Sequence, residues 1–101
     1  MEARLDTVRE ALRSVVDPEL HLNIVDLGLI YSIKESAPGK VHITMTLTTP
    51  GCPVGSAILQ AVERVVEQLP GIEEVDVELT FEPRWTPEFI TDEGRRFLNM
   101  L

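Results

Sequence analysis

The stretch VHITMTLTTPGCPVGSAILQ, residues 41–60, decides the fold. Its first part alternates strictly: Val41, Ile43, Met45 and Leu47 face one way, and His42, Thr44, Thr46 and Thr48 the other. That is the period of a strand buried on one face. From Val54 the period lengthens. Ile58, Ala61, Val62, Val65 and Leu69 form one apolar stripe, which predicts a helix over 54–69, stopped by Pro70-Gly71. Between them lies a turn of prolines and glycines, with Pro53 suited to a first helical position because its missing N–H costs nothing there. VDVELTF, residues 75–81, alternates again, with Val75, Val77, Leu79 and Phe81 inward. Strand, helix and strand make a crossover, which should be right-handed.

Upstream, Leu5, Val8, Leu12, Val15 and Val16 recur at helical spacing, predicting a helix over 3–16 that Asp17-Pro18 ends. ELHLNIVDLG, residues 19–28, has no clear period. LIYSIKE reads as a strand and SAPGK as the turn of a hairpin leading into 41–48. Downstream, EPRWTPEFI is a proline-marked connection, and residues 91–100 make a last short helix. The order α-β-β-α-β-(α) predicts a two-layer α+β fold of the broad α/β class, with helices packed on one face of a small mixed sheet. With no repeat, low-complexity tract or linker, residues 1–101 read as one domain.

Composition narrows the function. At 44% hydrophobic and 26% charged, the chain is of the soluble globular type. No apolar run approaches the roughly 18 residues of a membrane span, and the charged start MEARLDTVRE has no apolar signal core. One cysteine permits no internal disulfide, so a cytoplasmic setting is expected. A net charge of −8 argues against nucleic acid. Glu73, Glu74, Asp76, Glu78 and Glu82 crowd together, either as a solvated face or as a docking surface for a basic partner.

Cys52 is the first candidate for chemistry. If the helix starts at Pro53, Cys52 is its N-cap, beside unpartnered N–H groups and a dipole that favours thiolate. Gly51 and Gly55 let backbone or ligand approach closely. A catalytic thiol would need a base, and His21 and His42 are the only histidines. His42 sits on a strand's polar face as a solvated side chain, and His21 lies in the loop after the first helix. There is no Cys-x-x-Cys, closed zinc set, P-loop or dinucleotide glycine pattern. A single thiolate does suit shared ligation of a soft metal centre, with other ligands from a second subunit, a small thiol or a client. Asp26, between Val25 and Leu27, needs hydrogen-bond partners if buried, from backbone amides or the hydroxyls near Thr48 and Thr49. It either braces the loop or acts beside the thiol. Asp17 and Pro18 read as a turn, and Trp85 either packs on the core or lids a site.

DPELHLNIVDLGLIY, MTLTTPGCPVG and VELTFEPRWTPEFIT together resemble the small iron–sulfur cluster assembly domain of the PaaD-like and SufT-like metal–sulfur cluster biosynthetic proteins. The likeness spans about residues 5–95. It implies an α/β domain and a non-enzymatic role in maturing iron–sulfur proteins, as carrier, adaptor or targeting factor. The family's cysteine falls on Cys52 as metal ligand, and its loop acid on Asp26. Its acid-proline motif falls on Asp17, Pro18 and Glu19. Thr48, Thr49, Pro50, Gly51 and Pro53 surround the thiol, and Trp85 and Pro87 carry the tryptophan block. The resemblance implies a transient iron–sulfur cluster, with client proteins and other assembly components as partners. A P-loop ATPase carrier would act in trans, and a homodimer would supply missing ligands. The cysteine-rich tail of phenylacetate-pathway relatives is absent before Leu101. A metal-free module that recruits clients is the alternative, and a thiol-dependent enzyme pairing Cys52 with His21 a further one.

Overall fold

A computed structural model describes residues 2–49 and 55–99, with side chains from Leu5 onward. The alternating stretch forms the central strand, β2 (Lys40–Met45), whose Val41, Ile43 and Met45 are buried. A two-residue turn joins it to β1 (Ile30–Ala37) in an antiparallel hairpin. The helical stripe becomes α2 (Gly55–Glu67), and the chain returns in β3 (Glu74–Leu79), parallel to β2. The sheet order is therefore β1-β2-β3, a mixed sheet. The first helix, α1 (Glu2–Leu12), packs on α2 and β1, while α2 packs on β3. A 3-10 turn at Pro87–Phe89 and a helix α3 (Asp92–Asn99) complete the α+β fold. Among the described residues, no helix is long and apolar enough to cross a membrane.

One boundary and two side-chain placements differ from the sequence reading. The first helix stops at Leu12 rather than at residue 16: residues 13–15 continue as i to i−3 turns, and Val16 bridges Asn23. Pro18 keeps Asp17 out of the helix, so Val15 is buried but Val16 is 49% exposed. Thr46, expected on the polar face, is fully buried because the chain leaves the β2–β3 ladder after Met45 and its N–H turns to the Leu29 carbonyl, 2.9 Å away. Leu79, expected inward, is 39% exposed, since it ends an edge strand with a neighbour on one side only.

The aperiodic segment 22–29 is the unexpected part of the core. Leu22, Ile24, Leu27 and Leu29 are buried alongside Val8 and Leu12 of α1, Ile43 of β2 and Val62 of α2. A backbone that turns at nearly every residue directs these side chains inward without any fixed period, so no helical or strand pattern survives in the sequence.

Candidate functional site

Asp17 opens the loop. It is 2% exposed, and its Oδ1 accepts from the N–H groups of Glu19 (2.8 Å) and Leu20 (3.2 Å). Its carbonyl accepts from His21 N–H at 2.8 Å. The Asp-Pro-Glu segment is thus a side-chain-capped turn, with Pro18 and Glu19 exposed. His21 leaves it in the left-handed region, at φ 60, and is exposed.

Asp26 is the hub of the loop. Its Oδ1 accepts from Arg13 Nη1 and from the Thr91 hydroxyl, both at 2.9 Å, and its Oδ2 from Asn23 Nδ2 at 2.8 Å. Its own N–H donates to Asn23 Oδ1, and its carbonyl accepts from Thr91 N–H. Burial pushes the carboxyl pKa up, but the donors Asn23, Arg13 and Thr91 and the Arg13 charge outweigh that and hold it below 3.8. The expected partners near Thr48 and Thr49 are not the ones used. The loop turns Asp26 toward the end of α1 and the start of α3 instead. Three of the roughly four acceptor sites of this carboxylate are thus taken by protein donors, the bonding pattern of a brace.

Thr91 extends the brace. As N-cap of α3, its hydroxyl accepts from Gly94 N–H (3.0 Å) while donating to Asp26. Gly94 lets the helix lie close: a Cβ there would stand 2.8 Å from Ile90 Cγ2 and 3.0 Å from both the Asp26 carbonyl oxygen and Leu22 Cδ2. Gly28, at φ 81, does the same against the 3-10 turn, where a Cβ would meet Phe89 Cβ at 2.7 Å. Trp85 donates its indole N–H to the Leu27 carbonyl at 2.7 Å with its ring packed against the core. That favours the packing role over a lid.

Thr48 is half-buried and Thr49 exposed at the end of the β2 segment. Pro50, Gly51, Cys52 and Pro53 lie outside the described residues, so the thiol and its N-cap position remain sequence expectations. By register, Ile30, Met45 and Leu79 share one end of the sheet, where β2 and β3 finish and β1 begins. Open sheets bind ligands beyond the carboxyl ends of parallel strands, and the chain leaves both β2 and β3 at this end. A groove of about 470 Å³ opens there, lined by Gly28, Ile30, Tyr31, Pro83 and Phe89. Tyr31 donates its hydroxyl to the Pro83 carbonyl (2.7 Å) and meets the Phe89 ring edge-on.

His42 is not simply solvated. Its Nδ1 lies 2.8 Å from Asp76 and its Nε2 3.0 Å from Glu78, and these carboxylates, Asp76 first, raise its pKa above 6.5. Among the described residues, no three His, Cys, Asp or Glu side chains form a group that could hold a metal ion. Sequence reasoning missed Arg13, Asn23 and Thr91. Two of them carry a signal: the Asn23-x-x-Asp26 spacing of a capped turn, and Thr91-Asp92-Glu93 as a helix start.

Residues 5–79 match the family model described as iron–sulfur cluster assembly protein. An Fe-S protein maturation auxiliary factor of Porphyromonas gingivalis is 42% identical over 101 residues, which cover 100% of this chain and 95% of the relative. An iron-sulfur cluster carrier protein of Synechocystis is 43% identical over 77 residues, or 76% of this chain and 22% of that longer protein. The crystal structure of a DUF59 domain from Bacillus anthracis superposes with a TM-score of 0.93 at 32% identity, covering 99% of this chain and 95% of that one.

Proposed function

The chain belongs to the iron–sulfur cluster assembly protein family, and from that premise we propose that it is a maturation factor that carries or targets clusters to client proteins. The observation that carries this reading is the identity of 42% along the whole chain to an Fe-S protein maturation auxiliary factor. Relatives bear the names of factors and carriers, which supports handling of a cluster as cargo over turnover of a substrate.

Cys52 is the group we assign to the cargo. It is the chain's one cysteine, and iron–sulfur clusters take thiolate ligands, typically about four. The remaining ligands come from a second copy, a small thiol or the client, which keeps the cluster easy to release. Asp17, Asp26 and Trp85 hold the neighbouring loop rather than the cargo, and Thr48, Thr49, Pro50, Gly51 and Pro53 frame the thiol. Client proteins and other assembly components, a P-loop ATPase carrier among them, are the partners this role requires.

The test is anaerobic loading with iron and sulfide, followed by transfer to an apo acceptor protein. Wild type should develop the charge-transfer absorbance of a cluster and activate the acceptor, and Cys52→Ala should do neither. Acceptor maturation that is unchanged in Cys52→Ala would replace this reading with that of a metal-free recruiting module.

A further inference from the structure

The two edges of the sheet are built differently. Pairing of β1 with β2 is broken by irregularities at Ile30/Ser32 and at Glu35/Ala37. Such bulges blunt an edge against further strands. β3 has none: it runs in unbroken parallel register from Lys40↔Glu74 to Met45↔Leu79, and no proline interrupts it.

Among the described residues, its outer backbone has no strand beside it. Glu74 N–H bonds the Gly39 carbonyl at 3.1 Å and Thr80 N–H the Met45 carbonyl at 2.9 Å. In a parallel ladder alternate residues bond the same neighbour, so Val75, Val77 and Leu79 turn their N–H and C=O groups away from β2. Among the described residues, no backbone group from a turn or loop meets them.

The charge on β3 itself has one sign, with Lys40 and His42 of β2 beside it on the inner side. Residues 65–83 contain Glu67, Glu73, Glu74, Asp76, Glu78 and Glu82 and no lysine, arginine or histidine. The side chains of Asp76 and Glu78 are 71% and 60% exposed even with His42 of β2 between them. Val75 and Val77 are half-buried on the opposite face. A second copy paired through this strand would bring acid against acid, which is unfavourable across a ladder.

We propose that the free edge of β3 docks an extended basic segment of a partner protein as a fourth strand. The segment carries lysine or arginine at alternate positions, opposite Glu74, Asp76 and Glu78. Apolar residues between them continue the face of Val75, Val77 and Leu79. Main-chain bonds supply the affinity and the alternation supplies the choice of partner. This holds whether or not Cys52 carries a cluster.

The probe is a short capped peptide alternating lysine and valine, titrated into the isotope-labelled full chain. Saturable binding should slow hydrogen exchange at the Val75, Val77 and Leu79 amides. Val77→Pro removes one outward donor without touching a ladder bond, and should weaken binding about tenfold or more with the fold intact by circular dichroism. Combined Glu74→Gln, Asp76→Asn and Glu78→Gln should weaken binding and flatten its salt dependence. Three results overturn the proposal: no binding, binding without protection of those amides, or equal binding by a peptide of the same composition with its lysines in one block. Should Val77→Pro fail to fold, exchange protection in the unaltered chain still decides.

Discussion

Replacing Asp26 by asparagine removes a charge without changing the shape of the side chain. The carboxylate is 10% exposed and takes hydrogen bonds from Arg13, Asn23 and Thr91. The amide would set an NH₂ group against at least one of these donors and remove the better buried of Arg13's two carboxylate partners, leaving Glu10. Bonds to a charged group contribute about 1.5–3 kcal/mol each, and loss of a buried ion-pair partner costs about 3–5 kcal/mol. The Arg13 side chain is 35% exposed, so solvent screens part of the loss. A cost of about 2–3 kcal/mol follows, or a drop in Tm of roughly 10–20 °C for a domain of this size. The pH dependence carries the sharper test. The folded pKa of Asp26 lies below 3.8, so its contribution is complete above the unfolded value and disappears as pH falls through the folded one. Urea unfolding of both proteins should therefore show a gap that is full near about pH 7 and narrows below about pH 4. A gap that stays the same at acid pH, or one under about 0.5 kcal/mol at neutrality, would refute the account of Asp26 as an ionised brace.

Gly28→Ala should cost about 2–4 kcal/mol in urea unfolding, because φ 81 disfavours any side chain and the new Cβ would collide with Phe89. A stability equal to the parent's would mean that the 3-10 turn does not press on the loop. For His42, an NMR titration should place the midpoint above 6.5, with Asp76→Asn lowering it more than Glu78→Gln does. Since the folded pKa is raised, any stability from this pairing is complete below the unfolded value and lost as pH rises through the folded one. A midpoint at or below 6.5 would break the clasp.

The layers of the fold were readable because repeating backbones leave repeating patterns. Val41, Ile43 and Met45 mark one face of β2, and Ile58 and Val62 one stripe of α2, since each looks out on a single neighbour layer. Val16 misled because it continues a period beyond the point where the backbone keeps it, and Leu79 because it ends an edge strand that has a neighbour on one side only. The candidate site was half readable. Asp26 stood out as an acid among apolar residues, but its partners Arg13 and Thr91 lie 13 and 65 residues away in sequence. Local spacing cannot reveal such a junction, because tertiary packing creates it. Only Asn23, one turn away, could be tied to Asp26 by a local pattern; the helix-start signal at Thr91 does not say what its hydroxyl meets. Cys52 was singled out from its residue type and setting alone, and it lies outside the described residues.

The contacts of residues 80–99 bear on where this domain ends. The family match stops at residue 79, the last of β3, as though the remainder were appendage. Yet Trp85 closes the Leu27 carbonyl, Phe89 fills the space that Gly28 leaves open, and Thr91 satisfies Asp26 twice. A chain cut at that border would keep every strand and both long helices while exposing the buried loop and uncapping its acid. The family model stops short of residues that brace the fold, and residues 80–99 act as the keystone of an arch whose stones all lie upstream.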